Sequence, residues 1–249
     1  MSLRLWSTGE TAPHQPLWFR DERDKIRAKL TDQHSVYPCH FASIGETQST
    51  NYHSYILTDM EGAIADEEIG SLAVTLHKFL SLPRVRPRHR VSLICLVGPP
   101  VVRTFEEERY QYWDVLSRLA ATDSTSRESN SHPDDPAWNF SFAGEELFCF
   151  AATPAYGSRQ SRVLGEALAL VFQPMSIFSD IRGDTPQGKA TKARIRARLA
   201  NYDGVAIFSD AGSGSESTLS KWKQYFPNVD GSPIEGVCPF HLIRDSGKS

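Results

Sequence analysis

The 249-residue sequence lacks any apolar run long enough to cross a membrane, and it contains only four cysteines. A membrane-spanning helix needs about 20 consecutive apolar residues, but the longest run, residues 91–102, is interrupted by Ser92, Gly98 and two prolines. Residues 1–15 lack the apolar centre of a signal peptide. The cysteines show no Cys-x-x-Cys spacing. We therefore expect a cytoplasmic protein whose cysteines remain thiols.

The charge and the missing motifs exclude several classes of function. The formal net charge of −3 provides no general attraction to the phosphates of nucleic acids. The sequence contains no Gly-x-Ser-x-Gly elbow, no His-Glu-x-x-His helix and no complete dinucleotide-binding fingerprint. Residues 212–215 are Gly-Ser-Gly-Ser, but the lysine of a phosphate-binding loop does not follow them.

Helix and strand patterns alternate along the chain. Helical spacing or composition predicts helices at residues 17–30, 66–82, 104–120, 189–200 and 216–226, with a loop around Gly45 after Pro38. Apolar runs predict strands at residues 52–58, 91–97 and 168–172 and a hairpin over 138–152, with Cys95 and Cys149 in the core. These patterns predict an α+β fold, a central mixed sheet flanked by helices, with a three-layer α/β arrangement as the alternative. We expect a single domain over residues 1–249, with a flexible polar loop at 122–135.

Two short clusters combine a cysteine, a proline, a phenylalanine and a histidine. They are residues 37–41 (Tyr-Pro-Cys-His-Phe) and 238–241 (Cys-Pro-Phe-His). A thiolate fixed beside a proline in apolar surroundings can bind a metal, but buried thiols beside turns would give the same pattern. A zinc site from Cys39, His40, Cys238 and His241 has suitable ligand types but atypical spacing. A Cys39 nucleophile could use His241 as its base, but not the adjacent His40, which points elsewhere.

Two further segments could contribute to a site. Arg159 and Arg162 follow an apolar strand and are three residues apart. In a helical turn they would point the same way and could bind a carboxylate, a phosphate or haem propionates; a solvated helix start is the alternative. Residues 172–175 (Phe-Gln-Pro-Met) lead from a strand into a turn, and they could line a pocket or form a strand-to-helix corner.

An ordered set of motifs resembles the YqcI/YcgG family over nearly the whole chain. The motifs are Tyr37-Pro38-Cys39-x-Phe41, residues 138–144, Thr153-Pro154, Ser158-Arg159-x-Ser161-Arg162, Phe172-Gln173-Pro174, residues 222–226 and Cys238-Pro239-Phe240. No single motif is specific, but their order is. Members with assigned roles resemble haem-dependent oxygenases that N-hydroxylate amines or guanidines, including arginine, in antibiotic and toxin biosynthesis.

The resemblance implies a haem site and an arginine-like substrate. Cys39 becomes the first choice of axial ligand, since a thiolate favours O–O cleavage. The other candidate ligands are Cys238, His40 and His241; the candidate cofactor contacts are Arg159, Arg162, Phe172 and Gln173; and the candidate partners of a cationic substrate are Glu146 and Asp203. Gln173 and Met175 stand where the biosynthetic members carry Asn and His. This departure leaves the substrate open, and it leaves the chemistry open as well if that His is the ligand in those members.

The resemblance also defines the cofactors and partners that we expect. Iron protoporphyrin IX would work with O₂ and an external reductase, because the chain has no flavin or NAD(P) fingerprint. A homodimer is considered, and no nucleic-acid or membrane partner is expected. The alternatives are a non-catalytic haem- or ligand-binding protein and a cysteine-dependent hydrolase or transferase.

Overall fold

A six-stranded mixed β-sheet organises the chain in this computed structural model. The structure describes residues 2–11, 13–83, 90–125, 132, 135, 138–179, 185–204 and 220–240, without the side chains of His40, Phe41, Gln187 and Lys192. The strands are β1 (Trp6–Ser7), β2 (Tyr52–Leu57), β3 (Leu93–Gly98), β4 (Phe140–Phe142), β5 (Glu145–Ala152) and β6 (Leu168–Pro174). Their order across the sheet is β1-β2-β3-β6-β5-β4.

Five α-helices and four short 3₁₀ turns surround the sheet in the described residues. The helices are α1 (Leu17–Thr31), α2 (His40–Thr47), α3 (Asp66–Leu80), α4 (Phe105–Thr122) and α5 (Pro186–Asp203). The 3₁₀ turns are Pro154–Tyr156, Gln160–Arg162, Met175–Phe178 and Lys221–Gln224. In the part of the chain that the structure describes, no helix is both long and apolar enough to span a bilayer.

The strand connections confirm the predicted α+β class. Strands β2 and β3 are parallel and α3 lies between them in sequence, whereas β4 and β5 form an antiparallel hairpin. The remaining neighbours are also antiparallel. A sheet that mixes helix-linked and hairpin-linked strands is typical of α+β domains. The prediction of a single domain over residues 1–249 stays a prediction.

The two faces of the sheet carry different helices because side chains alternate along a strand. On one face, Leu93 and Cys95 pack with α3 and α4, and Cys149 of β5 lies in the same cluster. On the other face, Ile94 and Leu96 pack with α1 and α2. Both Cys95 and Cys149 are buried, which confirms their predicted place in the core.

The segment predicted as a loop around Gly45 is the helix α2, and this prediction was wrong. A Cβ atom at Gly45 would lie 2.1 Å from Asn51 Oδ1, so the glycine permits a close approach and does not mark a turn. The Asn51 amide donates to Ala42 O over 3.0 Å and to Glu46 Oε2 over 3.1 Å. Strand β1, only two residues long, was not predicted either.

Two further predictions fall partly outside the described residues. The predicted loop at 122–135 begins at the end of α4, and residues 126–131 and 133–134 within it are not described. Of the helix predicted at 216–226, residues 216–219 are not described, and the structure shows the 3₁₀ turn Lys221–Gln224 after them.

The residues after Ser220 cover the outer edge of β5. Strand β4 pairs only with residues 145–147 of β5. Beyond that point Ala151 N donates to Tyr225 O over 3.0 Å. The Tyr225 hydroxyl accepts from Phe140 N and donates to Leu147 O, each over 3.1 Å. The edge of β5 therefore has partners both from a strand and from the chain around Tyr225.

A first prediction concerns the core beneath α1. Phe19 is 0% exposed, whereas Leu17 on the same helix is 73% exposed. Phe19→Ala should lower the free energy of unfolding by about 3–5 kcal/mol, because it removes a buried ring and leaves a cavity. Leu17→Ala should change it by less than about 0.5 kcal/mol. Urea titration followed by circular dichroism measures both, and equal losses would contradict the burial of this face.

Candidate functional site

The arginine turn, residues 153–162, closes on itself beside the end of β5. The Thr153 side chain accepts from Ala155 N over 3.1 Å and caps the turn Pro154–Tyr156. Gly157, at φ +56°, reverses the chain with a backbone that favours glycine. Thr153 N then donates to Arg162 O over 2.7 Å. The two ends of the segment are thus joined, and Arg162 lies next to strand β5.

The Asp203 carboxylate at the end of α5 binds this turn. Oδ1 accepts from Ser161 N over 2.7 Å, and Oδ2 accepts from Ser161 Oγ over 2.6 Å. The Asp203 side chain is only 1% exposed and lies 3.8 Å from Arg159 Nε. Both carboxylate oxygens therefore have donors inside the protein, and the charge faces a guanidinium.

Tyr37 connects the segment of Cys39 to the same turn. Its hydroxyl donates to Ser161 O over 2.6 Å, and its ring meets Tyr202 edge-on with centroids 5.8 Å apart. Burial raises the pKa of the Tyr37 hydroxyl well above its usual value, and the nearby Cys39 acts in the same direction. Cys39 itself is half-buried, precedes α2 as its N-cap residue and packs against the core on both sides. Residues 37–39, 159–162 and 202–203 thus form one network, which we call the Asp203 network.

The two arginines point toward the same segment, as their spacing predicted. Arg159 is 6% exposed and Nη1 donates to Asn228 O over 2.7 Å; burial lowers the pKa of its guanidinium. Arg162 Nη2 donates to Gln224 O over 3.0 Å, and its guanidinium lies 5.1 Å above the Phe150 ring. Each therefore ties the turn to residues 224–228, and Arg159 is too buried for the solvated surface turn that was the alternative.

Phe172 and Gln173 point to opposite faces of β6. Phe172 is buried in the cluster of α3 and α4. Gln173 is also buried, and its Nε2 donates to Ser92 Oγ over 2.8 Å. Because neighbouring strand residues alternate, the two side chains do not line one common pocket. The following residues form the 3₁₀ turn Met175–Phe178, which is the strand-to-helix corner considered as the alternative.

The remaining candidates lie in the α3 and α4 cluster, on strand β5 or outside the described residues. Cys238 is 0% exposed in the core cluster of α3 and α4. Glu146 is exposed on β5 and accepts from Asn139 Nδ2 over 3.1 Å. The His40 side chain and His241 are not described. Among the described side chains, no three His, Cys, Asp or Glu could share a metal ion. The zinc site considered from Cys39, His40, Cys238 and His241 stays a prediction, because two of its four ligands are not described.

Comparisons with known proteins identify the family. The family model described as "YqcI/YcgG family" matches residues 26–241. The chain belongs to the YqcI/YcgG family. No solved structure matches the chain.

Two relatives show how far the similarity of this family member extends. It is 30% identical over 230 residues, 90% of this chain and 84% of the relative, to "Putative N(omega)-hydroxy-L-arginine synthase DcsA" of Streptomyces lavendulae. It is 27% identical over 235 residues, 92% of this chain and 90% of the relative, to "Uncharacterized protein YqcI" of Bacillus subtilis (strain 168). The similarity to both covers nearly the whole length of each protein.

Sequence reasoning missed Tyr37 and Ser161 as members of the Asp203 network in this YqcI/YcgG protein. Both stand in motifs shared with the family, but neither is an obvious ligand type. Their signal was adjacency: Tyr37 is two residues from Cys39, and Ser161 lies between the two arginines. A hydroxyl in such a place is a good candidate for the hydrogen bonds that hold charged neighbours.

A second ionisable cluster lies at the start of α4, after the parallel strands β2 and β3. The Glu108 side chain is 3% exposed, and Oε1 lies 3.9 Å from Arg103 Nη1. Oε2 has no hydrogen-bond partner among the described residues, nor has Gln111 Oε1. Burial raises the pKa of Glu108 to about 7, although Arg103 and Thr153 act against this. Glu106 and Glu107, its neighbours in the acidic first turn of α4, are exposed.

Glu108 should make folding stability depend on pH. Its pKa is about 7 in the folded protein and about 4.5 when exposed, so the folded state binds the extra proton between these values. The free energy of unfolding should therefore fall as pH rises from about 4.5 to 7, by up to about 3 kcal/mol. Glu108→Gln should flatten that part of the profile, and the exposed Glu107→Gln should not. Urea titrations at several pH values measure this; identical profiles for wild type and Glu108→Gln would refute it.

The Asp203 network yields a separate prediction. Asp203→Asn should lower the free energy of unfolding by about 1–3 kcal/mol, because Arg159 loses its buried counter-charge and Ser161 an acceptor. Asp21→Asn, an exposed acid on α1, is the matched control and should change little. Urea unfolding provides the measurement, and a neutral Asp203→Asn would mean that the carboxylate is not needed to hold the turn.

Proposed function

We propose that this protein is a haem-dependent oxygenase that N-hydroxylates the guanidine or an amine nitrogen of an arginine-like amino acid. The observation that carries the proposal is the 30% identity to the relative named as a hydroxy-arginine synthase, which extends over 90% of this chain. The grouping of Cys39 with charged residues in the Asp203 network supports it.

The chemistry of the Cys39 segment fits a haem. Cys39 is only half-buried and precedes a helix, and a helix N-terminus stabilises a thiolate. Cys39 packs against both core clusters, so its surroundings are apolar. Cys238 is less suitable because its 0% exposure leaves an iron no access without repacking the core. Haem bound through Cys39 would supply the activation of O₂.

Arg162 is the better candidate for an anionic group. Arg159 already faces the Asp203 carboxylate, whereas Arg162 is half-buried, contacts carbonyl oxygens and a ring, and forms no ion pair with a described residue. Its charge can therefore stabilise a haem propionate or the substrate carboxylate. Gln173 remains a proposed cofactor contact, because strand alternation places it on the α1 and α2 face of the sheet. Phe172 lies on the opposite face and is not part of this proposal.

Asp203 and Glu146 differ in how well each could bind the cationic end of the substrate. Both oxygens of Asp203 accept hydrogen bonds within the network, so we propose that Asp203 positions the turn. Glu146 is exposed and remains the candidate for binding a guanidinium.

The overall reaction defines what else the protein needs. A substrate N–H, O₂, two electrons and two protons give N–OH and water. The electrons must come from outside, since the chain carries no flavin or NAD(P) fingerprint. A reductase is therefore part of the proposal.

The proposal predicts distinct effects for the two cysteines. Protein reconstituted with haem should show a Soret band and, with a reductant and O₂, add one oxygen atom to arginine as seen by mass spectrometry. Cys39→Ala should weaken haem binding by at least about 10-fold and change the ferrous–CO spectrum, because it removes the ligand. Cys238→Ala, the matched control, should leave that spectrum unchanged.

Two outcomes would contradict the proposal. Failure of the reconstituted wild type to bind haem would leave a cysteine-dependent hydrolase or transferase as the alternative. Haem binding without oxygen consumption in the presence of arginine or related amines would indicate a non-catalytic haem protein. If haem binds but Cys39→Ala keeps the wild-type spectrum, another residue is the ligand.

A further inference from the structure

Helix α5 concentrates positive charge on a protein that is negative overall. Its 18 residues include one acid, Asp203, whose charge is buried in the network. Its basic residues are Lys189, Lys192, Arg194, Arg196 and Arg198. The whole chain has a formal net charge of −3, so the rest of the protein is more negative than the total indicates. The helix is therefore a local basic surface.

The four cations of α5 whose side chains are described lie at or near the surface. Lys189 and Arg194 are exposed, and Arg196 and Arg198 are half-buried. None of the four forms an ion pair with a described residue. Arg194 and Arg198 are four residues apart and therefore lie on one side of the helix. Charges without partners repel each other and cost stability, so an external negative partner would gain from them.

The basic surface reaches the candidate site at the end of α5. Tyr202 meets the Tyr37 ring, and Asp203 accepts from Ser161. Lys29 of α1 extends the surface at this point: its Nζ donates to Gln160 Oε1 over 3.0 Å, and the Asp203 charge acts on it. A molecule seated on α5 and Lys29 would thus lie beside the Asp203 network.

We propose that α5 and Lys29 form the docking surface for an acidic one-electron donor protein. The inference rests on the proposed function, which needs two electrons from outside. The helix of 18 residues extends over about 27 Å, which suits the surface of a small protein better than a single small anion. Weak electron-transfer encounters use small, charged interfaces of this kind.

Charge reversal on α5 tests this surface. Arg194→Glu with Arg198→Glu should weaken binding of an acidic flavodoxin, measured by isothermal titration calorimetry at low salt, by about tenfold or more. The control is Arg20→Glu with Lys78→Glu, which makes the same change of charge at exposed positions on α1 and α3. It should weaken binding much less. Added salt should weaken the binding of flavodoxin to the wild type and to the control more than its binding to the α5 variant, because salt screens the attraction between opposite charges.

A neutral pair of substitutions controls for misfolding of the charge-reversed variant. Arg194→Gln with Arg198→Gln should produce a smaller loss in the same direction, with an unchanged circular dichroism spectrum. Equal weakening by the α5 variant and the control, or no weakening by either, overturns the proposal. Tighter binding of wild type to anionic vesicles or to RNA than to flavodoxin overturns it as well.

Docking and haem chemistry can be separated in the same experiment. Binding is measured with haem-loaded and haem-free protein, and haem content is measured independently. Flavodoxin binding that depends on α5 in protein unable to bind haem would contradict the proposed oxygenase but retain the docking surface. If the protein is an active oxygenase and flavodoxin reduces the wild type and the α5 variant equally fast, the docking surface alone is contradicted.

Discussion

The buried Asp203 carboxylate is the contact on which the candidate site depends. It receives both polar hydrogens of Ser161 and faces Arg159, while Ser161 O accepts from Tyr37. A buried charge is tolerated only where it is paired and hydrogen-bonded. One carboxylate therefore joins two parts of the chain that lie far apart in sequence, and the hydrogen bond from Tyr37 to Ser161 O brings the segment of Cys39 to them.

Much of the fold could be predicted from periodicity. The apolar runs and helical stripes placed β2, β3, β6 and the longer helices close to their observed bounds. Gly45 was misread because a glycine can permit either a turn or a close contact, and the decisive partner, Asn51, is known only once the chain has folded. Strand β1 is too short for any period to show.

The site was less predictable because its partners are distant in sequence. The spacing of Arg159 and Arg162 correctly indicated a common direction, but the carbonyls of residues 224–228 that receive them could not be inferred. The separation of Phe172 from Gln173, in contrast, follows from strand alternation and was available from the sequence. Whether Cys39 binds iron stays a prediction, since it depends on a cofactor and not on the fold.

The cover over the edge of β5 has a consequence for local motion. The chain around Tyr225 supplies the hydrogen bonds of that edge, and the same chain supplies the carbonyls that receive both arginines. Opening the edge would release the arginine turn as well, so the two cannot loosen independently. Sheet edge and site thus form one cooperative opening unit, whose amides should exchange their hydrogens together. The chain around Tyr225 therefore both protects the sheet from edge-to-edge association and keeps the arginine turn in place.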